Sequence, residues 1–398
     1  MERRQFLQHT GLASAAALVP GFLKAAGGMF IPEDVRPRNL VIIQLSGGND
    51  GLNCVVPFRN DLYYAARPKL GLKKEELLLL SDEIGLHPAM TGVADLYHNG
   101  EAVILNGIGY PNPNRSHFRS MDIWQSGSDA QTYWSSGWLG RVLDSSCNDR
   151  CAPPHHAVEI ADNLSLAMKG NEVSGFALRD PRIVRKKRDS ELLDALAAHA
   201  PVTEHPQAAF LHKVMTTSFE STRYLQEVLD IRRSPVIYPG GAFGNQLKTV
   251  SELIVNGSNT RIYYVSLSGF DTHAGQKGAH NRQLQQWNDA LAVFISELKE
   301  HDRFKDTLIM TFSEFGRRVE ENAGGGTDHG TASNVYVFGG GLKRAGLYND
   351  IPRLDDLDNG DLKYTTDFRT VYATLLEGWL EADARQVLGG DFGKINFL

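Results

Sequence analysis

Asn39-Leu-Val-Ile-Ile-Gln-Leu45 is an almost uninterrupted apolar run, and it leads directly into the turn-forming residues Gly47-Gly-Asn-Asp50. Such a run is typical of a strand that is covered on both faces. Apolar residues recur at helical spacing over 88–98 and 280–301. Alternating strands and helices predict an α/β fold, with a doubly wound, mostly parallel sheet and helices on both faces. The other predicted strands are 102–105, 157–160, 262–267, 308–312 and 335–338.

Polar side chains lie close to the ends of these predicted strands. Because the carboxyl ends of parallel strands share one edge of a sheet, where ligands bind, we expect these side chains to meet there. Carboxylates, histidines and a hydroxyl at one edge predict a metal-assisted site. The predicted metal ligands are Asp50, Asp271, His273, Glu314, Asp328 and His329, and the predicted catalytic residues are Arg115, Ser116, His117 and Arg317.

The local sequence leaves a structural alternative for several of these residues. Asp50 lies among turn formers, so it is either a metal ligand or a turn residue. Ser116 either caps a helix that begins at His117, or acts as a nucleophile where the helix dipole favours negative charge. Glu314 is either a ligand or a salt-bridge partner at a helix start. Asp271, with an imidazole two residues later, suits Zn²⁺ or Mn²⁺.

The composition limits the class of protein. A chain of 398 residues forms one large domain or two modest ones, and its net charge of -6 argues against a nucleic-acid binder. Three cysteines are too few for a disulfide scaffold. Cys147 and Cys151 are either a local disulfide or two thiols, since no second pair completes a zinc site.

The first residues have the pattern of an export signal. Glu2-Arg-Arg-Gln-Phe-Leu-Gln8 precedes an apolar stretch over 11–23 and small residues at 25–26. The adjacent arginines resemble a twin-arginine signal. We therefore expect a signal peptide over 1–26, the twin-arginine translocase as a partner during export, and a periplasmic or extracellular location. No stretch approaches the roughly 20 apolar residues of a membrane span, so none is expected in the mature chain.

The rest of the chain, 38–398, is expected to form the α/β domain. Within it, residues 181–233 are strongly charged and favour helices over strands. We interpret this segment as a helical insertion or cap that shapes a substrate entrance, and its basic run as a solvated surface.

Five motifs together resemble a family of exported bacterial proteins described as a domain of unknown function (DUF1501-type). That family is in turn similar to the alkaline phosphatase and sulfatase superfamily. The motifs span nearly the whole mature chain: Gln44-Leu-Ser-Gly-Gly-Asn-Asp-Gly51, Arg115-Ser-His-Phe118, Phe270-Asp-Thr-His273, Phe312-Ser-Glu-Phe-Gly-Arg317 and Thr327-Asp-His-Gly330.

The resemblance implies an alkaline phosphatase-like sheet with one or two divalent ions, Zn²⁺ or Mn²⁺. It matches Asp50 to an early metal-binding Asp and Ser116 to the nucleophile. It also matches Asp271 with His273 to a middle ligand cluster, and His329 to a late histidine. Two features depart from the superfamily pattern. Asp271 and His273 are closer together than usual, and Ser313-Glu314 replaces an Asp-His pair, which leaves room for one metal or a lost activity.

The implied function is hydrolysis of phosphate or sulfate monoesters, on a small-molecule or glycan ester substrate. Ser116 would attack in line, Arg115 or Arg317 would neutralise the oxyanion, and His117 could donate a proton. One alternative is a non-catalytic glycan- or protein-binding member of the same fold with a degraded metal site. Another is an isomerase that moves phosphate within one substrate.

Overall fold

The centre of the protein is a mixed sheet in the computed structural model, which describes residues 37–147, 152–180, 205–239 and 241–398. The strands of this described part are β1 (Asn39–Ser46), β2 (Val55–Val56), β3 (Leu78–Leu79), β4 (Gly85–Leu86), β5 (Ala102–Gly109), β6 (Ala157–Glu159), β7 (Phe176–Ala177), β8 (Ile262–Ser268), β9 (Thr307–Phe312), β10 (Ser333–Gly339), β11 (Gly346–Tyr348), β12 (Leu357–Asp358), β13 (Asp361–Leu362) and β14 (Thr366–Asp367).

The main sheet has the order β11-β5-β10-β9-β1-β8-β6-β7, and β14 also pairs with β5. All of its pairings in the described residues are parallel except those of β10, which runs antiparallel to both β5 and β9. The sheet is therefore mostly parallel, which confirms the predicted α/β class. Two small antiparallel sheets, β2-β4-β3 and β12-β13, lie outside it.

Helices connect the strands of the main sheet. In the described residues they are α1 (Gly51–Cys54), α2 (Asp61–Ala66), α3 (Thr91–His98), α4 (His117–Ser126), α5 (Trp138–Ser145), α6 (Pro206–Ile231), α7 (Gly241–Val255), α8 (Gln276–Glu300), α9 (Phe368–Leu375) and α10 (Ala384–Leu388). Single 3₁₀ turns occur at Lys74–Glu76, Pro154–His156, Leu166–Met168 and Phe304–Asp306, and a π-helical turn occurs at Leu376–Leu380.

Helices cover the sheet on both faces, as the continuous apolar runs predict. In β1, Val41 and Ile43 belong to one hydrophobic core, with α3, α6, α7 and α8. Leu40 and Ile42 belong to a second core, with α4, α5, α9 and α10. Since successive side chains point to opposite faces of a strand, one apolar run supplies both cores. Each fully buried aliphatic side chain contributes roughly 1.5–3 kcal/mol to stability.

The six predicted strands are all present, with small changes at their ends. The largest change is in β5, which continues through Asn106 and Gly107 to Gly109 although these are turn-favouring residues. Asn106 accepts a hydrogen bond of 2.8 Å from Asn334 of β10, and the β5–β10 register shifts at this point. A β-bulge thus absorbs the irregular residues without ending the strand.

The antiparallel direction of β10 brings an additional loop to the site. The carboxyl ends of β1, β5, β8 and β9 lie at one edge of the sheet. Because β10 runs the other way, it begins at this edge, and the loop before it carries Asp328 and His329. Residues from four parts of the chain can therefore meet there.

Several sequence predictions concern residues outside the described part. The signal peptide over 1–26 is one, and the segment 181–204 of the predicted insertion is another. The remainder of that insertion is mostly α6, a 26-residue helix. Cys147 is disulfide-bonded, and its predicted partner Cys151 lies outside the described residues. No helix in the described residues has the length and apolarity needed to cross a membrane.

Glu159, at the end of β6, provides a test of the buried structure. Its side chain is 5% exposed and accepts a hydrogen bond from the Ser165 backbone, and burial raises its pKa from 4.5 to about 7. Because the pKa of Glu159 is higher in the folded state, the neutral carboxyl stabilises the folded protein relative to the ionised one. This stabilisation is complete at a pH below the unfolded-state pKa. This effect is lost as the pH rises through the folded pKa.

We therefore compare the free energies of unfolding of Glu159→Gln and the wild type at about pH 5 and about pH 8. The stability of the variant relative to the wild type should be greater at the higher pH, by up to about 3 kcal/mol. Urea unfolding of both proteins at the two pH values measures this difference. The exposed Glu172→Gln is the control. A stability difference that is the same at both pH values contradicts the prediction.

Candidate metal centre

Three imidazoles and one carboxylate converge at the edge of the sheet where β1, β8 and β9 end. Nε2 of His273 and Nε2 of His329 are 2.9 Å apart, and both lie near Asp271 Oδ1, at 3.1 and 3.2 Å. Nε2 of His117 is 3.5 Å from Asp271 Oδ2. Ligand atoms of His117, Asp271 and His329 all lie within 4.8 Å of one another. We call these four residues the metal cluster.

The second nitrogen of each imidazole faces an acceptor from the protein. Nδ1 of His329 lies 2.9 Å from the backbone carbonyl of Arg115, which can only accept, so this nitrogen carries a proton. Nδ1 of His117 is 2.9 Å from Glu314 Oε1, and Nδ1 of His273 is 3.3 Å from Asp328 Oδ1. A ring that carries only the Nδ1 proton in this arrangement directs its Nε2 lone pair at the cluster.

This donor set fits a divalent cation. Lone pairs of imidazoles and a carboxylate oxygen that face each other at about 3 Å repel unless a proton or a metal cation lies between them. Nε2 of His117 is buried and has no hydrogen-bond partner in the described protein. Three imidazole nitrogens and one carboxylate oxygen are ligands that suit Zn²⁺ or Mn²⁺.

The charges around the cluster keep Asp271 ionised. Burial raises the pKa of Asp271, but the hydrogen bond from Arg317 and the contact with the His329 imidazole outweigh burial and bring the pKa to about 2. The Glu314 hydrogen bond raises the pKa of His117, because the carboxylate also stabilises the cationic ring. Burial lowers the pKa of His329. Asp271 is therefore an anion at any ordinary pH, as a metal ligand must be.

Arg317 holds the loops of the metal cluster together. Its side chain is fully buried, and its Nη2 donates to Asp271 Oδ1 at 2.8 Å. The remaining hydrogen bonds go to backbone carbonyls in three loops: those of Gly47, Gly48, Phe270 and Thr327. The sequence predicted Arg115 or Arg317 as the group that neutralises an oxyanion, whereas in the structure the Arg317 guanidinium lies inside the protein and positions Asp271.

Asp50 is not brought into the metal cluster. Both of its oxygens bind the buried guanidinium of Arg67, at 2.6 and 2.9 Å, and one also accepts from Gln276. Burial raises the pKa of Asp50, but the charge of Arg67 outweighs it and the pKa is lowered. The carboxylate predicted as an early metal ligand is thus neutralised by an arginine. Asp50 therefore contributes no atom to the metal cluster.

Glu314 and Asp328 lie one step outside the cluster and orient its imidazoles. Both oxygens of Glu314 are used: Oε1 accepts from Gly47 N and from His117 Nδ1, each at 2.9 Å, and Oε2 accepts from Ser313 Oγ at 3.1 Å. Asp328 Oδ1 accepts from Asn322 at 3.1 Å in addition to its contact with His273. Both residues were predicted as ligands, and in the structure each carboxylate lies against the Nδ1 of an imidazole of the cluster.

Ser116 and Arg115 lie at the start of α4, next to His117. Ser116 is the N-cap residue, it is exposed, and its side chain makes no capping hydrogen bond. Its hydroxyl is therefore not committed to the capping role that was the structural alternative. Arg115 contributes its carbonyl to His329, while its guanidinium pairs with Asp361.

Glycines allow the loops of the cluster to approach one another. Gly47 has a φ of +122°, and a Cβ there would lie 2.4 Å from the backbone nitrogen of Asp271. A Cβ at Gly326 would lie 2.4 Å from the carbonyl carbon of His273. Larger residues at either position would push apart the loops that carry Asp271 and His273.

The sequence matches a family over residues 37–392, and this family is described as "Protein of unknown function (DUF1501)". The chain belongs to this family. The matched residues include every member of the metal cluster. No curated protein matches the sequence.

Solved structures share a distant likeness with the chain. A sulfatase from Pseudoalteromonas sp. (PsFucS1) is 12% identical, with 92% of this chain and 71% of that chain covered and a TM-score of 0.41. The lipoteichoic acid synthase LtaP from Listeria monocytogenes is 10% identical, with 91% and 74% covered and a TM-score of 0.39. The alkaline phosphatase from the Antarctic bacterium TAB5 is 12% identical, with 79% and 95% covered and a TM-score of 0.32. Likenesses of this size establish no activity for this family member.

Two features of the site were not recognised from the sequence. His117 was considered only as a proton donor, although it follows a strand-end loop in the same way as the predicted ligands do. The local sequence does not show that Asp50 pairs with Arg67 and Gln276, because Arg67 follows α2 and Gln276 begins α8. Such contacts are visible only once the helices are placed in space.

Proposed function

We propose that this protein is an exported, metal-dependent hydrolase of phosphate or sulfate monoesters, with one divalent ion and Ser116 as its nucleophile. The observation that carries the proposal is the convergence of three imidazole Nε2 atoms on Asp271, with the other nitrogen of each ring engaged elsewhere. Metal-binding histidines in proteins are typically held in this way.

The ligands that we propose are His117, Asp271, His273 and His329, and they support one ion, Zn²⁺ or Mn²⁺. The carboxylates that a second ion would require are already used. Asp50 is neutralised by Arg67, and Glu314 accepts three hydrogen bonds. A bound divalent ion would supply Lewis-acid stabilisation of the negative charge on the ester oxygens.

The residues of the chain supply the nucleophile and its setting. Ser116 Oγ would bond to phosphorus or sulfur as the bond to the leaving alcohol oxygen breaks, and the serine proton passes to solvent. Unbonded N–H groups at the start of α4 favour the charge that develops beside Ser116. Water then hydrolyses the serine ester and restores the hydroxyl. Glu314 keeps His117 oriented throughout, and Arg317 does the same for Asp271.

The proposal includes the location of the protein, its partner during export and its class of substrate. A disulfide at Cys147 is typical of proteins that mature in an oxidising compartment, which supports export to the periplasm or beyond. The twin-arginine translocase would be the partner during export, and the substrate would be a small-molecule or glycan ester.

Ser116→Ala tests the nucleophile separately from the metal. We expect the variant to keep one equivalent of metal, measured by elemental mass spectrometry, and to lose turnover by about 10³-fold or more. The assays are hydrolysis of p-nitrophenyl phosphate and p-nitrophenyl sulfate by the metal-loaded protein. Ser145→Ala, on α5, is the control.

Two results would contradict this mechanism. Full turnover in Ser116→Ala would exclude a serine ester, and a wild-type protein that binds no metal would exclude the metal site. A metal-loaded wild type without turnover would favour the second candidate, a non-catalytic glycan- or protein-binding function. One observation favours that candidate: the buried Arg317, predicted to neutralise an oxyanion, is used entirely inside the protein.

A further inference from the structure

Two arginines beside the metal cluster share one buried carboxylate. Arg115 Nη2 pairs with Asp361 Oδ2, and Arg318 Nε lies 3.6 Å from Asp361 Oδ1. The Asp361 side chain is 1% exposed, whereas those of Arg115 and Arg318 are 44% and 35% exposed. We call these three residues the arginine clamp.

The arginine clamp is attached to the metal cluster on both sides of His329. The carbonyl of Arg115 accepts from His329 Nδ1 at 2.9 Å. The backbone nitrogen of Arg318 donates to the carbonyl of Asp328 at 3.0 Å, one residue before His329. Since His329 Nε2 faces the metal cluster, its ring lies between the cluster and the Arg115 carbonyl.

The guanidinium of Arg318 packs closely against the backbone at Asn359 and Gly360. Its Nη2 donates to the carbonyl of Asn359. The next residue, Gly360, has a φ of +87°, and a Cβ there would lie 2.4 Å from Arg318 Nη2. The side chain is therefore held in position although about a third of it is exposed.

The clamp has more positive charge than its carboxylate neutralises. Asp361 supplies one negative charge for two guanidinium groups. Asp328 also interacts with Arg318, and Asp358 lies close to Asp361. Asp328 accepts hydrogen bonds from Asn322 and His273, and Asp358 accepts one from Asn359 at 2.9 Å. Within the described residues, Nε and Nη1 of Arg115 and Nη1 of Arg318 have no acceptor from the protein. Exposed, unused guanidinium N–H groups at a fixed position can bind an oxyanion through two parallel hydrogen bonds.

We propose that the arginine clamp binds an oxyanion substituent of the substrate that is separate from the ester group being hydrolysed. This inference rests on the proposed hydrolase function, in which the reacting ester lies at the metal cluster and Ser116. The clamp lies beyond His329, so it is placed to bind a neighbouring group of the same molecule. The substrate class is therefore an ester with at least one further sulfate, phosphate or carboxylate group.

Titration calorimetry of the metal-loaded protein tests this inference. The probes are one monosaccharide in its monosulfated and disulfated forms, and another in its monophosphate and bisphosphate forms. We expect the doubly charged member of at least one pair to bind about 10-fold more tightly than the singly charged member. The pair that shows the difference identifies the preferred oxyanion.

Arg318→Gln should remove most of that difference while it leaves the affinity for the singly charged probe and the metal content unchanged. Arg115→Gln, which keeps the backbone carbonyl that holds His329, should act in the same direction. The control is Arg353→Gln, which breaks an exposed ion pair with Asp355 and should change nothing.

Several outcomes would overturn the inference. They are equal binding of both members of each pair, no binding of any probe, and an Arg318→Gln variant that weakens both members equally or loses its metal. A wild-type protein without metal would instead overturn the proposed function, and elemental mass spectrometry detects that failure before any titration.

Discussion

Asp271→Asn is expected to leave the purified protein without the proposed metal ion. The substitution keeps the size of the side chain but removes the negative charge that lies between Arg317 and the imidazoles of His273 and His329. The cation would then face the buried guanidinium of Arg317 without an intervening anion. Loss of a hydrogen-bond partner of a ligand typically lowers metal affinity by about 10–100-fold, so loss of the charged ligand should lower it further.

Elemental mass spectrometry of the wild type and the variant, purified side by side, measures this effect. The wild type should retain one equivalent of Zn²⁺ or Mn²⁺, and Asp271→Asn should retain almost none. Asp82→Asn, in an exposed turn, is the control and should bind like the wild type. Unchanged metal content in Asp271→Asn would show that the metal cluster is not the binding site.

Arg67→Met is expected to lower the free energy of unfolding by about 3–5 kcal/mol, because it leaves the buried carboxylate of Asp50 without a counter-charge. The Arg67 and Asp50 side chains are both fully buried, and two hydrogen bonds of 2.6 and 2.9 Å join them. Urea unfolding measures the loss. Arg353→Met removes the corresponding partner from an exposed ion pair and should lower the free energy of unfolding far less.

The same residues provide a test of the metal stoichiometry. Asp50→Asn, made alone or with Arg67→Met, should keep one equivalent of metal, because Asp50 contributes no atom to the metal cluster. Combining the two substitutions should recover part of the stability lost in Arg67→Met, since no unpaired charge is then buried. If Asp50→Asn lost the metal, Asp50 would be a ligand, as the sequence predicts.

The fold was predictable because its strands are locally apolar. In β1 and β9, the apolar runs 40–43 and 308–310 supply both cores, so burial on both faces can be recognised from the run alone. The antiparallel direction of β10 was not predictable, since its apolar run is equally compatible with either direction. Direction depends on which strands become neighbours, and residues distant in sequence determine that.

The sequence indicates which residues gather at the candidate site. It does not indicate which of them face the centre of the cluster and which orient the imidazoles. Asp271 and His273 follow a strand end, and His329 lies in a glycine-rich loop, so residue type and position identify them. Glu314 and Asp328 have the same local features, yet each accepts from the Nδ1 of an imidazole. Whether a carboxylate binds a metal or a histidine depends on differences of a few ångströms between loops.

The apolar pattern of this chain specifies its α/β class, its strands and the edge where polar residues gather, because secondary structure and burial follow short-range periodicity. The packing of distant segments specifies which of those polar residues face each other. Asp50 shows the difference. The local sequence predicts its position after β1. Its charge, however, is neutralised by Arg67, the residue that follows α2, and the strand pattern gives no indication of this contact. A buried carboxylate binds whichever cation the folded chain places beside it, and only the folded chain determines whether that cation is an arginine or a metal ion.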